Sequence, residues 1–357
     1  MSVLLREAES LLGTLVKLRS SREDEALPLA AFVTERLEGL GLEPGRYGDS
    51  DRPAIFASHG DDGVVLSGHL DTVPLGSGWT RGQGEVVDGR MYGRGTCDMK
   101  GGCAAILLAA EQLVKDGVPF SVCLTLDEEI SMNGALAVAQ AHLLKDAPAV
   151  LVAEPTNFDV VVREKGLIQF SIKTGGKSAH ASTPALGEND VAKMIAVLGR
   201  MGDLAKVPDD PMEDLTVCVD VVRGGSEVNV IPDSCEAHVD SRFPPDMSGD
   251  DVLSAVRGRL GDSGYELKVM HLLEPVGTDP ELPAVTTLHE IVGPDAHILG
   301  VPYATEMVMF KEDNSTLMVC GPGEPEQAHM IDEWIDVSSI PKGVDVYVRY
   351  CKRMTDL

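Results

Sequence analysis

Acidic and imidazole side chains follow apolar segments in this chain, and the first case is the stretch from Val64 to Pro74. Its short apolar run is typical of a buried strand, and it leads directly into His69 and Asp71. Residues two apart on extended backbone point to the same side. An imidazole beside a carboxylate is typical of a metal ligand and the group that orients it, but a surface histidine near an aspartate gives the same pattern. The stretch alone leaves both interpretations open.

Other predicted strands end in the same way. The further acids and histidines are Asp127, Glu128 and Glu129 after residues 120–126, Glu154 after residues 149–153 and His329 after residues 317–320. Asp98 lies in a glycine-rich loop at 93–102, which opens a predicted helix. Ligands of open α/β sheets bind at the carboxyl ends of the strands. We therefore expect these side chains to meet in one cleft.

Oxygen and imidazole ligands of this kind suit Zn²⁺ and similar dications. Two histidines and three carboxylates can form two zinc sites if one carboxylate is shared between them. Each acid taken singly fits an acidic surface equally well. Their joint placement at several strand ends favours a metal centre.

The elements that position these residues predict two domains. Strands alternate with helices over residues 54–153, which indicates an α/β domain with a mostly parallel sheet flanked by helices. The predicted helices include 134–145 and 101–115, and the second of these is apolar almost all round, so it should be buried. The pattern then changes to β-α-β-β-α-β, the order of a ferredoxin-like α+β domain. We therefore predict a first catalytic part at 1–165, an inserted domain at 166–273 and a second catalytic part at 274–357.

Composition excludes several classes of partner. The 357 residues carry 30 Lys and Arg against 57 Asp and Glu, a net charge of −27. Nucleic acids and anionic membranes both attract basic surfaces, so neither is expected as a partner. The longest apolar run, 103–110, is too short to span a bilayer. Charged residues in the first helix argue against a signal peptide, and seven cysteines without a CxxC pair indicate reduced thiols in the cytoplasm.

Several motifs together carry a family resemblance that spans nearly the whole chain. They are SGHLDTVP (67–74), GRGTCDMKGG (93–102), DEE (127–129), AEPT (153–156), GKSAHASTP (176–184), NVIP (229–232), DSR (240–242) and GPGEPEQAH (321–329). With them the sequence resembles the di-zinc deacylase and exopeptidase family that includes acetylornithine deacetylase, succinyl-diaminopimelate desuccinylase and glutamate carboxypeptidase.

The resemblance implies a set of ligands for two Zn²⁺ ions, with Co²⁺ or Mn²⁺ as substitutes. The implied ligands are His69 and Glu154 for one ion, Glu129 and His329 for the other, and Asp98 as the bridge between them. It also implies a cis peptide bond between Asp98 and Met99.

The resemblance implies roles for further residues. Glu128 is expected to act as general base, and Asp71 to orient the first histidine. The inserted domain is expected to serve as a lid and dimerisation domain, with His180 reaching the active site of the partner subunit in a homodimer. Asn229 and Arg242 match positions that hold the substrate's carboxylate or its reacting carbonyl, and Arg suits a carboxylate because its planar fork binds both oxygens.

The expected activity is hydrolysis of small N-acyl amino acids, as in arginine or lysine biosynthesis. Thr305 and Glu306 resemble the corresponding pair in acetylornithine deacetylases. Glu306 would then face a substrate ammonium, or else be an ordinary surface or helix-start residue. A desuccinylase, a dipeptidase or carboxypeptidase, and a catalytically inactive binding homologue are the alternatives.

Overall fold

The chain forms two compact units. The structure is a computed structural model that describes residues 2–202, 204, 212–261 and 264–356. The first unit consists of Met1–Val162, Thr278–Leu299 and Thr305–Leu357. The second consists of Arg163–Gly277 and Gly300–Ala304, and the whole of the predicted insertion, 166–273, falls within the first of these two ranges.

The described helices and strands follow one another along the chain in this order. The helices are α1 Val3–Lys17, α2 Glu23–Gly39, α3 Gly101–Asp116, α4 Asn133–Gln140, α5 Asp190–Gly199, α6 Gly249–Leu260, α7 Pro283–Val292, α8 Met307–Phe310 and α9 Ser339–Thr355. The strands are β1 Gly45–Asp49, β2 Arg52–His59, β3 Val64–His69, β4 Glu85–Val87, β5 Arg90–Tyr92, β6 Phe120–Thr125, β7 Val150–Val152, β8 Val160–Glu164, β9 Gly166–Gly175, β10 Ala179–His180, β11 Thr216–Gly224, β12 Val230–Ile231, β13 Ser234–Phe243, β14 Glu266–Leu273, β15 Val276–Gly277, β16 Ile298–Val301, β17 Leu317–Val319 and β18 Trp334–Asp336. Short helical turns lie at Thr96–Lys100, Pro184–Leu186 and Pro325–Gln327.

A mixed sheet runs through the first unit in the order β1-β2-β6-β3-β7-β17-β8. Its centre is parallel, because β3 pairs in parallel with both β6 and β7, and β7 pairs in parallel with β17. Every residue of these four central strands is buried, as expected for a sheet covered on both faces. The predicted fold class, a mostly parallel sheet flanked by helices, is confirmed.

Helix α3 is the most buried helix against this sheet, as its apolar sequence predicted. Its second residue, Gly102, lies so close to the end of β7 that a side chain there would collide with the carbonyl oxygen of Ala153. The last helix, α9, packs on α3. It also contacts the segment after β17, because the Tyr347 hydroxyl donates to the Cys320 carbonyl over 3.0 Å. These contacts hold the segments after β7 and β17 in place.

The second unit has an antiparallel sheet in the order β11-β13-β9-β14. Helices α5 and α6 bury their apolar residues with inward-facing side chains of β9 and β13, including Phe170 and Val239. The order β9-α5-β11-β13-α6-β14 is that of a ferredoxin-like unit. At the start of α6 the Ser248 and Asp251 side chains form a capping box. A lid or dimerisation role for this unit stays a prediction.

The structure departs from the sequence-based boundaries in one helix. A helix was predicted over 134–145, but α4 ends at Gln140. His142 has a φ of 56°, which turns the chain out of the helix, and the Asn314 amide then donates to the carbonyl oxygens of Leu144 and Ala147. Among the described residues, no helix combines the length and the apolar character needed to cross a bilayer.

Candidate metal centre

The carboxyl ends of the parallel strands bring a first group of three side chains together, which we call the first cluster: His69, Asp98 and Glu154. His69 ends β3, and its Nε2 lies 3.1 Å from Asp98 Oδ1 and 3.3 Å from Glu154 Oε1. Glu154 follows β7, the parallel neighbour of β3. The ligand atoms of the cluster all lie within 4.8 Å of one another, close enough for one ion to contact all three.

A second cluster of three side chains is formed by Asp98, Glu129 and His329. His329 Nε2 lies 3.1 Å from Glu129 Oε1 and 3.4 Å from Asp98 Oδ2. Asp98 therefore belongs to both clusters, with one carboxylate oxygen turned to each. His329 has a φ of 63°, and its side chain is 55% exposed, whereas that of His69 is 1% exposed.

Asp71 connects the first cluster to the segment that follows β6. Its backbone oxygen lies 3.1 Å from His69 Nδ1, and its carboxylate lies slightly farther from the same nitrogen, at 3.6 Å. The carboxylate oxygens accept the backbone N–H groups of Glu128 and Glu129 over 3.2 and 3.1 Å. Asp71 thus contacts the ring that it was predicted to orient, and it also fixes the backbone of the predicted base and of its neighbour.

The loop around Asp98 is held by a residue that the motif analysis did not single out. The buried Glu333 carboxylate accepts N–H groups from Gly95, Cys97 and Asp98. The predicted cis peptide between Asp98 and Met99 is present. The available signal for Glu333 was its position, an acid four residues after a candidate ligand.

Burial and like charges dominate the electrostatics of the centre. Burial raises the pKa of Glu154 to about 7. Burial, with the charges of Glu154 and Glu129 added, also raises the pKa of Glu128 well above its usual range. Burial lowers the pKa of His69, but the charge of Glu154 and hydrogen bonds to carboxylates outweigh it, so the pKa is raised.

The centre brings four carboxylates, those of Asp98, Glu128, Glu129 and Glu154, to two imidazoles. Ionising all four together would require positive charge beside them, because a buried charge is costly without a partner. A pair of divalent cations supplies that charge, and the imidazole and carboxylate donors are those that zinc prefers. The residues present therefore fit a metal centre.

Glu306 lies directly before α8 with its side chain buried. It is the N-cap residue of this helix, as the helix-start alternative supposed, and 0% of it is exposed. The Ser67 hydroxyl donates to its Oε2 over 3.5 Å. Because Ser67 lies on β3, the Glu306 carboxylate is turned toward the central sheet. A contact between Glu306 and a substrate ammonium stays a prediction.

The remaining predicted residues lie in the second unit. His180 is exposed on β10, with its Nδ1 2.7 Å from the Ser182 hydroxyl. Asn229 is also exposed and lies at the start of β12, which pairs with β10. Arg242 on β13 donates from Nε and Nη2 to the Asp240 carboxylate over 2.8 and 3.3 Å. The roles predicted for these three residues stay predictions.

The α/β sheet and its two clusters define a protein that can hold divalent cations at the strand ends. The chain belongs to peptidase family M20/M25/M40, which residues 65–353 match. It is accordingly a metal-dependent amidohydrolase.

Curated relatives of the chain include two named deacylases. An acetylornithine deacetylase of Vibrio campbellii (strain ATCC BAA-1116) is 32% identical over 342 residues, with 88% of this chain and 87% of the relative covered. A probable succinyl-diaminopimelate desuccinylase of Staphylococcus aureus (strain MRSA252) is 24% identical over 393 residues, with 96% of each chain covered.

Solved structures share the fold at lower identity. A tripeptidase from Staphylococcus aureus subsp. aureus Mu50 superposes with a TM-score of 0.82 at 18% identity, over 99% of each chain. A dinuclear metal-binding peptidase of the M20 family from Bacillus subtilis superposes with a TM-score of 0.73 at 16% identity, covering 99% of this chain and 98% of that one.

Replacing Glu306 with glutamine tests whether this carboxyl is protonated in the folded protein. Burial raises its pKa to about 8, whereas the pKa of a glutamate in the unfolded chain is about 4.3. The folded state holds the proton more tightly, so the free energy of unfolding of the wild type falls as pH rises through this window. Between pH 5 and pH 8, the free energy of unfolding of the E306Q variant should therefore fall by roughly 2–4 kcal/mol less than that of the wild type. Urea unfolding in EDTA measures the difference.

The exposed Glu312, for comparison, should show no such effect when it is replaced in E312Q. If E306Q and the wild type lose stability in parallel across this pH range, Glu306 is not protonated in the fold.

Proposed function

We propose that the chain removes the acyl group from small N-acyl amino acids, as an acetylornithine deacetylase does, with two Zn²⁺ ions at the two clusters. The observation that carries the proposal is the shared carboxylate of Asp98, one oxygen of which faces each cluster. The acetylornithine deacetylase at 32% identity supports the choice of substrate class. A role in arginine biosynthesis follows from the same proposal.

The chain's own residues would hold the ions in pairs around Asp98. His69 and Glu154 would bind one ion, and Glu129 and His329 the other, with Co²⁺ or Mn²⁺ as substitutes for zinc. Ions bound there would polarise the amide carbonyl and make water a stronger acid.

Glu128 would carry the proton in this reaction. It belongs to neither cluster, and its half-buried side chain follows β6 directly beside Glu129. It would take a proton from the attacking water and deliver it to the nitrogen of the leaving amine as the amide bond breaks. Its raised pKa suits this role, because the base must keep the proton until the amine departs.

Three residues of the second unit would contact the substrate. His180 would donate to the developing oxyanion in the other subunit of a homodimer, and its exposed position leaves it available for that. Asn229 and Arg242 would hold the substrate's carboxylate or carbonyl. Arg242 already donates two hydrogen bonds to Asp240, so a substrate carboxylate would share or replace that partner.

A substrate panel tests the proposed specificity. With the zinc-loaded protein, kcat/KM for N-acetylornithine should exceed that for N-succinyl-diaminopimelate and for simple dipeptides by at least about tenfold, the factor that one good polar contact supplies. A preference for the succinyl compound or for a dipeptide would assign the chain to another branch of the family. Hydrolysis of none of them by the metal-loaded protein would favour an inactive binding homologue.

The variant E128Q separates the base from the ligands. Because glutamine cannot accept the proton, kcat should fall by about 10²–10⁴-fold, while elemental analysis still finds as much metal as in the wild type. The matched control is E326Q, which changes an exposed acid three residues before His329 and should retain full activity. Near-normal turnover of a metal-loaded E128Q would rule out the proposed base.

A further inference from the structure

Glu333 joins the segment that carries His329 to the loop that carries Asp98. Its side chain is 0% exposed. Its Oε1 accepts the backbone N–H groups of Cys97 and Asp98 over 2.8 and 3.1 Å, and its Oε2 accepts that of Gly95 over 3.0 Å. The peptide bonds on both sides of Cys97, the residue before the shared ligand Asp98, are thus fixed by one carboxylate.

Arg94 makes the reverse connection, from the Asp98 loop to the His329 segment. Its guanidinium donates to Glu333 Oε2 over 2.9 Å, to the Met330 carbonyl over 3.2 Å and to the His329 carbonyl over 3.3 Å. The backbone oxygen of Glu333 also accepts the N–H of Gly93 over 2.9 Å. The two segments therefore hold each other through side-chain and backbone hydrogen bonds.

We propose that Glu333 and Arg94 are positioning residues that set the spacing between Asp98 and His329. The inference rests on the proposed metal-dependent function, and it adds to that function the groups on which the second metal site depends. Neither residue contacts the ions or the substrate in this proposal. Each acts through the backbone of a ligand.

Loss of Glu333 or Arg94 should affect metal binding at the two clusters unequally. In the first cluster, His69 ends β3 and Glu154 follows β7, so the parallel sheet fixes both. His329 instead lies in an irregular segment with a positive φ and a half-exposed side chain. The Arg94 guanidinium holds the backbone of His329 and pairs with the Glu333 carboxylate, which holds the Asp98 loop. Loss of this pair disturbs two of the three ligands of the second cluster but only Asp98 in the first, so the second site should weaken more than the first.

Cobalt binding to the full-length protein tests this inequality without measuring turnover. In E333Q an NH₂ group replaces one carboxylate oxygen and cannot accept the backbone N–H groups of the Asp98 loop. The loop should therefore be fixed less firmly. We expect one of the two Co²⁺ ions to bind about 10–100-fold more weakly, the usual effect of losing a group that orients a ligand. The other ion should lose clearly less affinity, because Asp98 is the only ligand of its cluster that Glu333 holds. Calorimetry gives both affinities, and the visible absorption of Co²⁺ reports the altered site.

A matched variant separates positioning from general stability. Asp313 is also a buried carboxylate that fixes a loop, because it accepts the Leu144 N–H over 2.8 Å and its side chain is 2% exposed. Its loop carries no candidate ligand, so D313N should leave both Co²⁺ affinities unchanged even if it lowers the unfolding temperature. Equal weakening of both sites in E333Q, or unchanged affinities in a folded E333Q, would overturn the proposal.

Two further measurements decide the matter if E333Q does not fold. R94M removes the guanidinium that holds His329 and should weaken the same Co²⁺ site as E333Q. In the metal-free wild type, the amides of Gly95, Cys97 and Asp98 should resist hydrogen exchange, because Glu333 already accepts them. Rapid exchange there, or R94M with wild-type cobalt binding, would contradict the proposal. A wild type that binds two Co²⁺ ions but hydrolyses no substrate would refute the proposed function alone.

Discussion

One carboxylate, that of Asp98, connects the two clusters, and the arrangement of the centre follows from where it is held. One oxygen of Asp98 lies near the imidazole at the end of a sheet strand, and the other lies near an imidazole in an irregular segment. Neither cluster is complete without it. The glycine-rich loop, the buried helix that it opens and the acid that accepts its N–H groups all serve to fix this side chain.

The centre concentrates negative charge, and its surroundings must compensate for that charge. Four carboxylates and two imidazoles lie together at the end of a buried sheet, and the carboxylates are too close to be ionised at low cost without a cation. The fold offsets part of this cost locally. Asp71 accepts two backbone N–H groups, and Glu333 accepts three. The remaining negative charge is what divalent ions would balance.

The sequence allowed prediction of those features that depend on short-range patterns. His69 and Glu154 follow apolar runs, and the parallel register of their strands then brings them together. Glu333 was missed because its partners are more than two hundred residues away and no periodicity marks such a contact. The burial of Glu306 could not be predicted, because a residue's place at a helix start does not say which way its side chain points. Helix α4 ended early because His142 takes a left-handed conformation without a glycine or proline to mark it.

The most direct test of the central claim is to locate the ions. Anomalous X-ray diffraction from zinc-loaded crystals should show two peaks, with one oxygen of the Asp98 carboxylate bound to each. One peak should lie at bonding distance from His69 and Glu154, and the other at bonding distance from Glu129 and His329. A single peak, or two peaks of which only one contacts Asp98, would contradict the shared-carboxylate account.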